Sequence, residues 1–278
     1  TWEEFFALGD QVKAEGKSVF TYPTTGYFDT TMYQMLAQAG GMDFYNKAVQ
    51  YDKNTWTSAE GKEVVDTIAK LASPEYLWSD TVANANADGG FKLNQQAVID
   101  GQALFMPNGN WVIGEMADST PEGFNWAMMA QPKFSADQEN YVYTYTEQMW
   151  VPAEAPNLDL AKEFIEFMYS DEVVDLMLAN ETTDKETGEK TATPIVPPVL
   201  GASDKLPEGP VKDSYTLVSQ DGYNAVSGVW ATTEAINGFD MSKTVYGAID
   251  ALNTGDLTAD AYQKQLVDAW ATCLEHLK

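Results

Sequence analysis

Short apolar segments alternate with amphipathic helices along the first half of the chain, and this alternation limits the fold more than any other feature. Residues 18–22 (SVFTY) predict a strand that ends at Pro23, and residues 103–106 predict a buried strand that ends at Pro107. Between them, residues 57–72 carry apolar side chains at helical spacing. Strands that alternate with helices in this way are typical of an α/β fold.

Further periodic segments continue to the end of the chain. Thr1 and Glu4 form a capping-box signal for a first helix, and Gly16 predicts its end. A natural protein seldom begins on the cap of its first helix, so we expect that a preceding segment has been removed. The remaining predictions are helices at 29–39 (ended by Gly40 and Gly41), 91–99, 158–169, 171–179, 231–236, 244–252 and 258–277, strands at 126–130 and 141–151, and an exposed loop at 180–190.

Three turns place large aromatic rings at the ends of predicted strands or the starts of predicted helices. They contain Tyr27 and Phe28, then Trp111 after Asn108 and Asn110, and finally Trp230 after Gly228. Open α/β sheets form ligand crevices at such positions. A flat ring covers the C–H face of a sugar while neighbouring amides and carboxylates bond its hydroxyls. The turns therefore indicate a sugar site, although each ring alone also fits a place in the core.

Charge and cysteine content exclude several classes of partner. The 278 residues carry a formal net charge of −26, which repels phosphates and anionic lipid and argues against nucleic-acid binding. Cys273 is the single cysteine, so no internal disulfide is possible. No stretch approaches the roughly 18 apolar residues of a membrane span. An acidic chain with one cysteine and many tyrosines and tryptophans fits a bacterial protein outside the cytosol.

Residue types that carry catalysis or metal binding are sparse. His276 is the one histidine, which excludes a His-rich metal site. The sequence has no phosphate loop, no nucleophile elbow and no dinucleotide fingerprint. Asp184, Glu186 and Glu189 lie close together, but they lack the spacing of a calcium loop. We therefore expect no cofactor and no metal.

Several segments follow one another in an order and spacing that match a known pattern. They are residues 1–5 (TWEEF) and 13–18 (KAEGKS), Tyr27 and Phe28 with Met35, Leu36, Gly40 and Gly41, residues 103–111 ending in Trp111, residues 160–165 (LAKEFI) with 170–172 (SDE), and Trp230. Together they resemble the extracellular solute-binding proteins of carbohydrate ABC transporters, the group that includes maltose-binding protein. The stretch from Phe105 to Trp111, with Glu115 and Met116, most resembles the N-acetylglucosamine- and chitobiose-type members.

The resemblance implies a fold and a domain division. The fold is α/β and periplasmic-binding-protein-like (type II), mainly the C-terminal lobe plus a helical remnant of the N-terminal lobe. Residues 1–148 would form the first part of the C-terminal lobe, 149–213 would belong to the N-terminal lobe, and 214–278 would supply the closing helices of the C-terminal lobe. The first part of the N-terminal lobe would be missing, which leaves an apolar face that promotes aggregation or dimerisation.

The resemblance also implies a function without catalysis. The chain would capture a sugar or oligosaccharide in an inter-lobe cleft and deliver it to the membrane permease of an ABC importer. It would be a monomer when full-length, either tethered outside the cell as a lipoprotein or periplasmic. The implied ligand-binding residues are Trp111, Trp230, Tyr27, Phe28, Asn108, Asn110, Glu147 and Tyr223.

Two other functions stay open on the sequence alone. The many carboxylates allow a glycosidase, although no pair stands out at strand ends beside the aromatic turns. The aromatic turns would equally suit a surface module that binds another protein. A labelled chito-oligosaccharide separates these cases, because an enzyme releases product, a binding protein leaves the sugar intact, and an interaction module is not stabilised by it.

Overall fold

The structure is a computed structural model that describes residues 1–183, 188, 190–228, 230–231, 236 and 239–277. The chain divides into two compact units. Unit 1 comprises Thr1–Gly109, Ala130–Tyr143 and Asp221–Lys278, and unit 2 comprises Asn110–Met129 and Thr144–Gln220.

Helices dominate both units, with short strands between them. The α-helices are α1 Trp2–Lys13, α2 Phe28–Val49, α3 Ala59–Leu71, α4 Thr81–Ala85, α5 Phe91–Ile99, α6 Val112–Glu115, α7 Leu158–Met168, α8 Asp171–Leu178, α9 Pro210–Leu217, α10 Ala248–Thr254 and α11 Ala259–His276. The strands are β1 Ser18–Phe20, β2 Ala103–Phe105, β3 Asn140–Tyr143, β4 Glu181–Thr183, β5 Lys190–Ala192 and β6 Tyr223–Val226. A π-helix, Ser242–Tyr246, precedes α10, and a 3₁₀ turn, Thr25–Tyr27, precedes α2.

Unit 1 contains two pairs of parallel strands packed among helices. In the first pair β1 lies beside β2, with Ser18 opposite Ala103, and in the second β3 lies beside β6, with Tyr143 opposite Val226. Parallel strands need covered faces, and here α1 packs on β1 while α2 packs on β3. The core between these elements is apolar and fully buried at Val19, Leu36, Ile68 and Trp270.

Several sequence predictions are confirmed. At the start of α1, the Glu4 N–H donates to the Thr1 hydroxyl while the Glu4 carboxylate accepts from the chain amine, which is the predicted capping box. The strands predicted at 18–22 and 103–106 are confirmed by β1 and β2, which are shorter and end at Phe20 and Phe105. The helix pair predicted at 158–179 forms α7 and α8, and Ser170 caps α8 through its hydroxyl.

The helix predicted at 29–39 ends at the glycines as expected, because Gly41 has the non-helical angles φ 72° and ψ −178°. A second helical segment, which the sequence did not predict, follows this kink and continues α2 to Val49.

Other predictions are wrong. Residues 126–130 form no strand and have no neighbouring strand to pair with. The strand predicted at 141–151 is limited to β3 because pairing with β6 stops at Tyr143. The loop predicted at 180–190 begins with β4, which pairs antiparallel with β5. Most of the helix predicted at 231–236 lies outside the described residues.

Unit 2 carries α6 to α9 and the β4–β5 hairpin. Its core is small, since α7 buries no residue completely and α8 buries only Val173 and Val174. The segment 149–213 lies within this unit, which also includes Asn110–Met129. The assignment of that segment to an N-terminal lobe stays a prediction.

Within the described ranges, no helix combines the length and the apolar character that crossing a bilayer demands.

Candidate functional site

Six aromatic rings of unit 1 form one contiguous group, which we call the aromatic cluster: Tyr33, Tyr45, Tyr143, Trp230, Tyr246 and Trp270. Tyr33 lies at its centre. The Tyr33 ring is 4.6 Å from the Trp230 ring and 5.4 Å from the Tyr143 ring, centroid to centroid, and it lies nearly parallel to the latter at 15°. Such contacts fix the orientation of Trp230 before any ligand arrives.

Hydrogen bonds from the cluster hold the backbone that leads to Trp230. The Trp230 backbone N–H donates to the Tyr33 phenolic oxygen at 3.0 Å, and its indole N–H donates to the Tyr246 hydroxyl. The Tyr143 hydroxyl donates to the carbonyl of Gly228 at 3.0 Å. The Tyr45 hydroxyl donates to the carbonyl of Ser227 at 3.4 Å. This segment is therefore fixed by side chains from three other elements.

The phenols of Tyr33, Tyr45 and Tyr246 stay neutral at ordinary pH. Burial raises the pKa of Tyr33 and of Tyr246. Burial also raises the pKa of Tyr45 to about 12. Neutral phenols both donate and accept hydrogen bonds, so the cluster offers polar contacts without a charge of its own.

The predicted pair Tyr27 and Phe28 divides between surface and core. Phe28 is fully buried, and its ring packs edge-on against Phe20 and Tyr22. Tyr27 keeps partial exposure, and its 3₁₀ turn contacts the π-helix that carries Tyr246. Of the two predicted ligand residues, only Tyr27 therefore has accessible surface.

Trp230 and Tyr223 occupy different places in unit 1. Trp230 exposes 8% of its surface and belongs mainly to the packed cluster. Tyr223 begins β6, four residues before Ser227, which is roughly 13 Å at about 3.3 Å per residue. Tyr223 therefore does not join the cluster, because it pairs with Asn140 at the opposite end of the strand pair from Tyr143.

The turn before Trp111 is stabilised by amides. The Asn108 side-chain oxygen accepts from the Gly109 N–H at 2.9 Å in unit 1. In unit 2, the Asn110 side-chain amide donates to the Ser214 hydroxyl of α9 at 3.2 Å. Trp111 precedes α6, and 51% of its surface is exposed.

Glu147 lies in an exposed segment of unit 2. The charge of Glu147, together with a hydrogen bond that its carboxylate accepts from the Tyr145 hydroxyl, raises the pKa of Tyr145. Both side chains face solvent. The pair offers one carboxylate and one phenol to an approaching ligand.

Metal and thiol chemistry find little support in the described part of the chain. No group of three or more His, Cys, Asp or Glu side chains there is arranged to hold a metal ion. Of the acidic run, Asp184, Glu186 and Glu189 lie outside the described residues. Cys273 is buried, and burial raises the pKa of its thiol, which disfavours the reactive thiolate.

Sequence reasoning missed the partners of Trp230. Tyr33 and Tyr246 lie within predicted helices, where an aromatic side chain is expected to pack in the core, so neither gave a signal for a binding site. Tyr143 carried a usable signal, because Tyr141 and Tyr143 alternate with Val142 at the period of a strand.

Comparison with known proteins gives a consistent result. The sequence profile of a family described as bacterial extracellular solute-binding protein matches residues 1–183. A protein of Brucella suis biovar 1 (strain 1330), described as a probable sugar-binding periplasmic protein, is 29% identical over 116 residues, which cover 41% of this chain and 26% of that protein. A protein of the same description from Brucella melitensis matches equally.

Solved structures with the same fold include two sugar-binding proteins. Apo RafE from Streptococcus pneumoniae superposes with a TM-score of 0.62 at 17% identity, covering 99% of this chain and 65% of that chain. A chitin oligosaccharide binding protein superposes with a TM-score of 0.67 at 16% identity, covering 100% and 65%. At these identities the likeness shows the fold. The chain spans about a quarter of the curated relatives and 65% of these solved structures.

Proposed function

Because the chain belongs to the family of bacterial extracellular solute-binding proteins, we propose that it captures a sugar or oligosaccharide and delivers it to an ABC importer. The observation that carries the proposal is the fixed presentation of Trp230 by Tyr33 and Tyr246, together with the half-exposed ring of Trp111. Rings that are oriented in advance lose little side-chain entropy when a flat ligand stacks on them.

We propose the following ligand residues: Tyr27, Trp230 and Asn108 in unit 1, and Trp111, Asn110 and Glu147 in unit 2. The rings would cover C–H faces, while the amides and the carboxylate would bond hydroxyls.

Relatives with known ligands support a sugar as the ligand class. A solved complex of RafE is with raffinose, and another solute-binding protein of Streptococcus pneumoniae is in complex with the blood group A-trisaccharide. A further structural neighbour is a chitin oligosaccharide binding protein. We propose that the present protein acts outside the cell or in the periplasm, that it is held there by a lipid anchor or by the outer membrane, and that its partner is a permease.

A thermal-shift experiment with product analysis tests the proposal. The full-length protein is heated with raffinose, a chitin trisaccharide or no sugar, and the sugars are then recovered and separated. A bound sugar at 100 times its Kd should stabilise the fold by about 2.7 kcal/mol and be recovered intact. Cleaved sugar would instead indicate a glycosidase, and no stabilisation by any oligosaccharide would favour a protein-interaction module.

A further inference from the structure

Asp29 lies beside the aromatic cluster in the first turn of α2. Residues four apart share one face of a helix, so Asp29 lies on the same face as Tyr33, one turn away. Tyr33 is the residue whose phenolic oxygen receives the backbone N–H of Trp230. The 3₁₀ turn that ends at Tyr27 leads directly into this face and contacts the π-helix of Tyr246. A carboxylate therefore lies beside Tyr33 and Tyr246, the two residues that hold Trp230, and its charge acts on both phenols.

The surroundings of Asp29 do not compensate its charge. Asp29 is half-buried, and in the described part of the chain it forms no ion pair. Its Oδ1 accepts one hydrogen bond, from the backbone N–H of the next residue, Thr30. Burial raises the pKa of Asp29, and its charge in turn raises the pKa of Tyr33 and Tyr246. Lys243 on the π-helix is exposed and makes no ion pair with Asp29.

We infer that Asp29 determines which sugars the site accepts. Its carboxylate accepts hydrogen bonds from the hydroxyls of a neutral sugar and repels a sugar that bears a carboxylate of its own. Hydrogen bonds to a charged acceptor are stronger than those to a neutral one. Sugar hydroxyls would therefore donate to the Asp29 carboxylate, for which the protein supplies few donors. This inference rests on the proposed function.

If Asp29 served only to stabilise α2, its substitution would change the stability of the fold in the opposite direction to the one expected for an uncompensated carboxylate. An acidic residue in the first turn of a helix interacts favourably with the helix dipole, so on that account its loss destabilises the fold. Burial raises the pKa of the half-buried Asp29 carboxylate in the folded state. Protonated Asp29 makes its full contribution to the free energy of unfolding below the usual pKa of Asp. This contribution is lost as the pH rises through the raised pKa of the folded state. Asp29→Asn should then stabilise the fold at neutral pH, and the gain should disappear in acid.

The test compares Asp29→Asn with Asp43→Asn in the full-length protein. Asp43 lies in α2 beyond the kink at Gly41 and is exposed, so its substitution removes an equal charge at the surface. Raffinose and a chitin trisaccharide are the neutral probes, and trigalacturonate is the acidic one. Asp29→Asn should weaken the neutral sugar bound by the wild type about tenfold or more and should reduce its preference over trigalacturonate. Asp43→Asn should leave both quantities unchanged within about twofold, the size expected for a surface charge.

The outcomes distinguish a failure of the proposed role of Asp29 from a failure of the proposed sugar capture. If the wild type binds a neutral sugar and Asp29→Asn binds it equally well, Asp29 does not determine specificity and the proposed function stands. If Asp29→Asn lowers stability at neutral pH with no change in sugar preference, Asp29 is a helix-stabilising acid and the inference is overturned. If the wild type binds none of the sugars, the proposed function fails and this inference fails with it.

Discussion

The backbone N–H of Trp230 donates a hydrogen bond to the phenolic oxygen of Tyr33, a residue 197 positions earlier, at a distance of 3.0 Å. The bond joins the second helix of the chain to the segment after its last strand. Both partners are buried, so the contact ties the orientation of Trp230 to the core of unit 1.

Removal of the Tyr33 hydroxyl should destabilise the protein. In Tyr33→Phe the buried N–H of Trp230 loses its acceptor, and an unsatisfied buried donor costs about 1–3 kcal/mol. Urea denaturation at pH 7 measures this loss. Tyr145→Phe is the control, because its hydroxyl bonds an exposed carboxylate and its loss should cost less than about 0.5 kcal/mol. Equal stability of the two variants would show that the bond is not formed in solution.

The half-exposed ring of Trp111 should contribute to sugar affinity more than to stability. Trp111→Ala removes a stacking surface, and we expect the Kd for the bound oligosaccharide to rise about tenfold or more, as for an aromatic hot spot. Calorimetric titration of the full-length protein measures this change. Tyr169→Ala, which removes another partly exposed ring of unit 2, should leave the Kd unchanged. A variant at 111 that binds like the wild type would remove Trp111 from the proposed site.

The pKa of Tyr45 predicts a specific loss of stability in alkali. Burial raises this pKa from 10.0 to about 12, so the folded state keeps the proton over a range in which the unfolded chain releases it. The stability that depends on this proton is complete below pH 10 and falls as the pH rises towards 12. Tyr45→Phe should therefore lose less stability between pH 9.5 and 11.5 than the wild type in matched urea denaturations. Parallel losses in both proteins would place Tyr45 in contact with solvent.

One face of α7 should drive self-association. Leu160, Phe164 and Phe167 follow helical spacing and expose 64%, 57% and 49% of their surfaces. Exposed apolar patches of this kind mark interaction or aggregation sites. Sedimentation of the 278-residue chain should show oligomers that a Leu160→Gln and Phe164→Gln double variant converts to monomers. Leu93→Gln, at an equally exposed leucine of unit 1, should not have this effect, and a wild-type chain that is monomeric throughout would contradict the prediction.

Local features of the fold could be predicted from the sequence, because the atoms that determine them are close along the chain. The capping box of Thr1 and Glu4 spans three residues, and the cap of α8 by Ser170 is equally short. The strand Asn140–Tyr143 could not be bounded in the same way. Its end depends on β6, more than 80 positions away, where pairing stops at Val226.

The candidate site shows the same limit. The rings of Trp111, Trp230 and Tyr27 were found because they stand beside glycines and turns. The side chains that orient Trp230 come from α2, β3 and the π-helix, and no local pattern links them. Tyr27 and Phe28 share one turn, which predicts that one ring faces a ligand and the other the core, and Phe28 is the ring that packs into the core. Tyr27 and Phe28 are adjacent in the sequence, and a shift of one position along the turn changes which of the two rings is exposed.

Calorimetric titration of the full-length protein with raffinose and with a chitin trisaccharide, followed by chromatography of the recovered sugar, tests non-catalytic sugar capture most directly. We predict saturable binding of at least one oligosaccharide with a Kd of about 1 μM or tighter, which is about −8 kcal/mol, and complete recovery of the intact sugar. Absence of binding to either sugar and to related oligosaccharides, or recovery of hydrolysed sugar, would contradict the account.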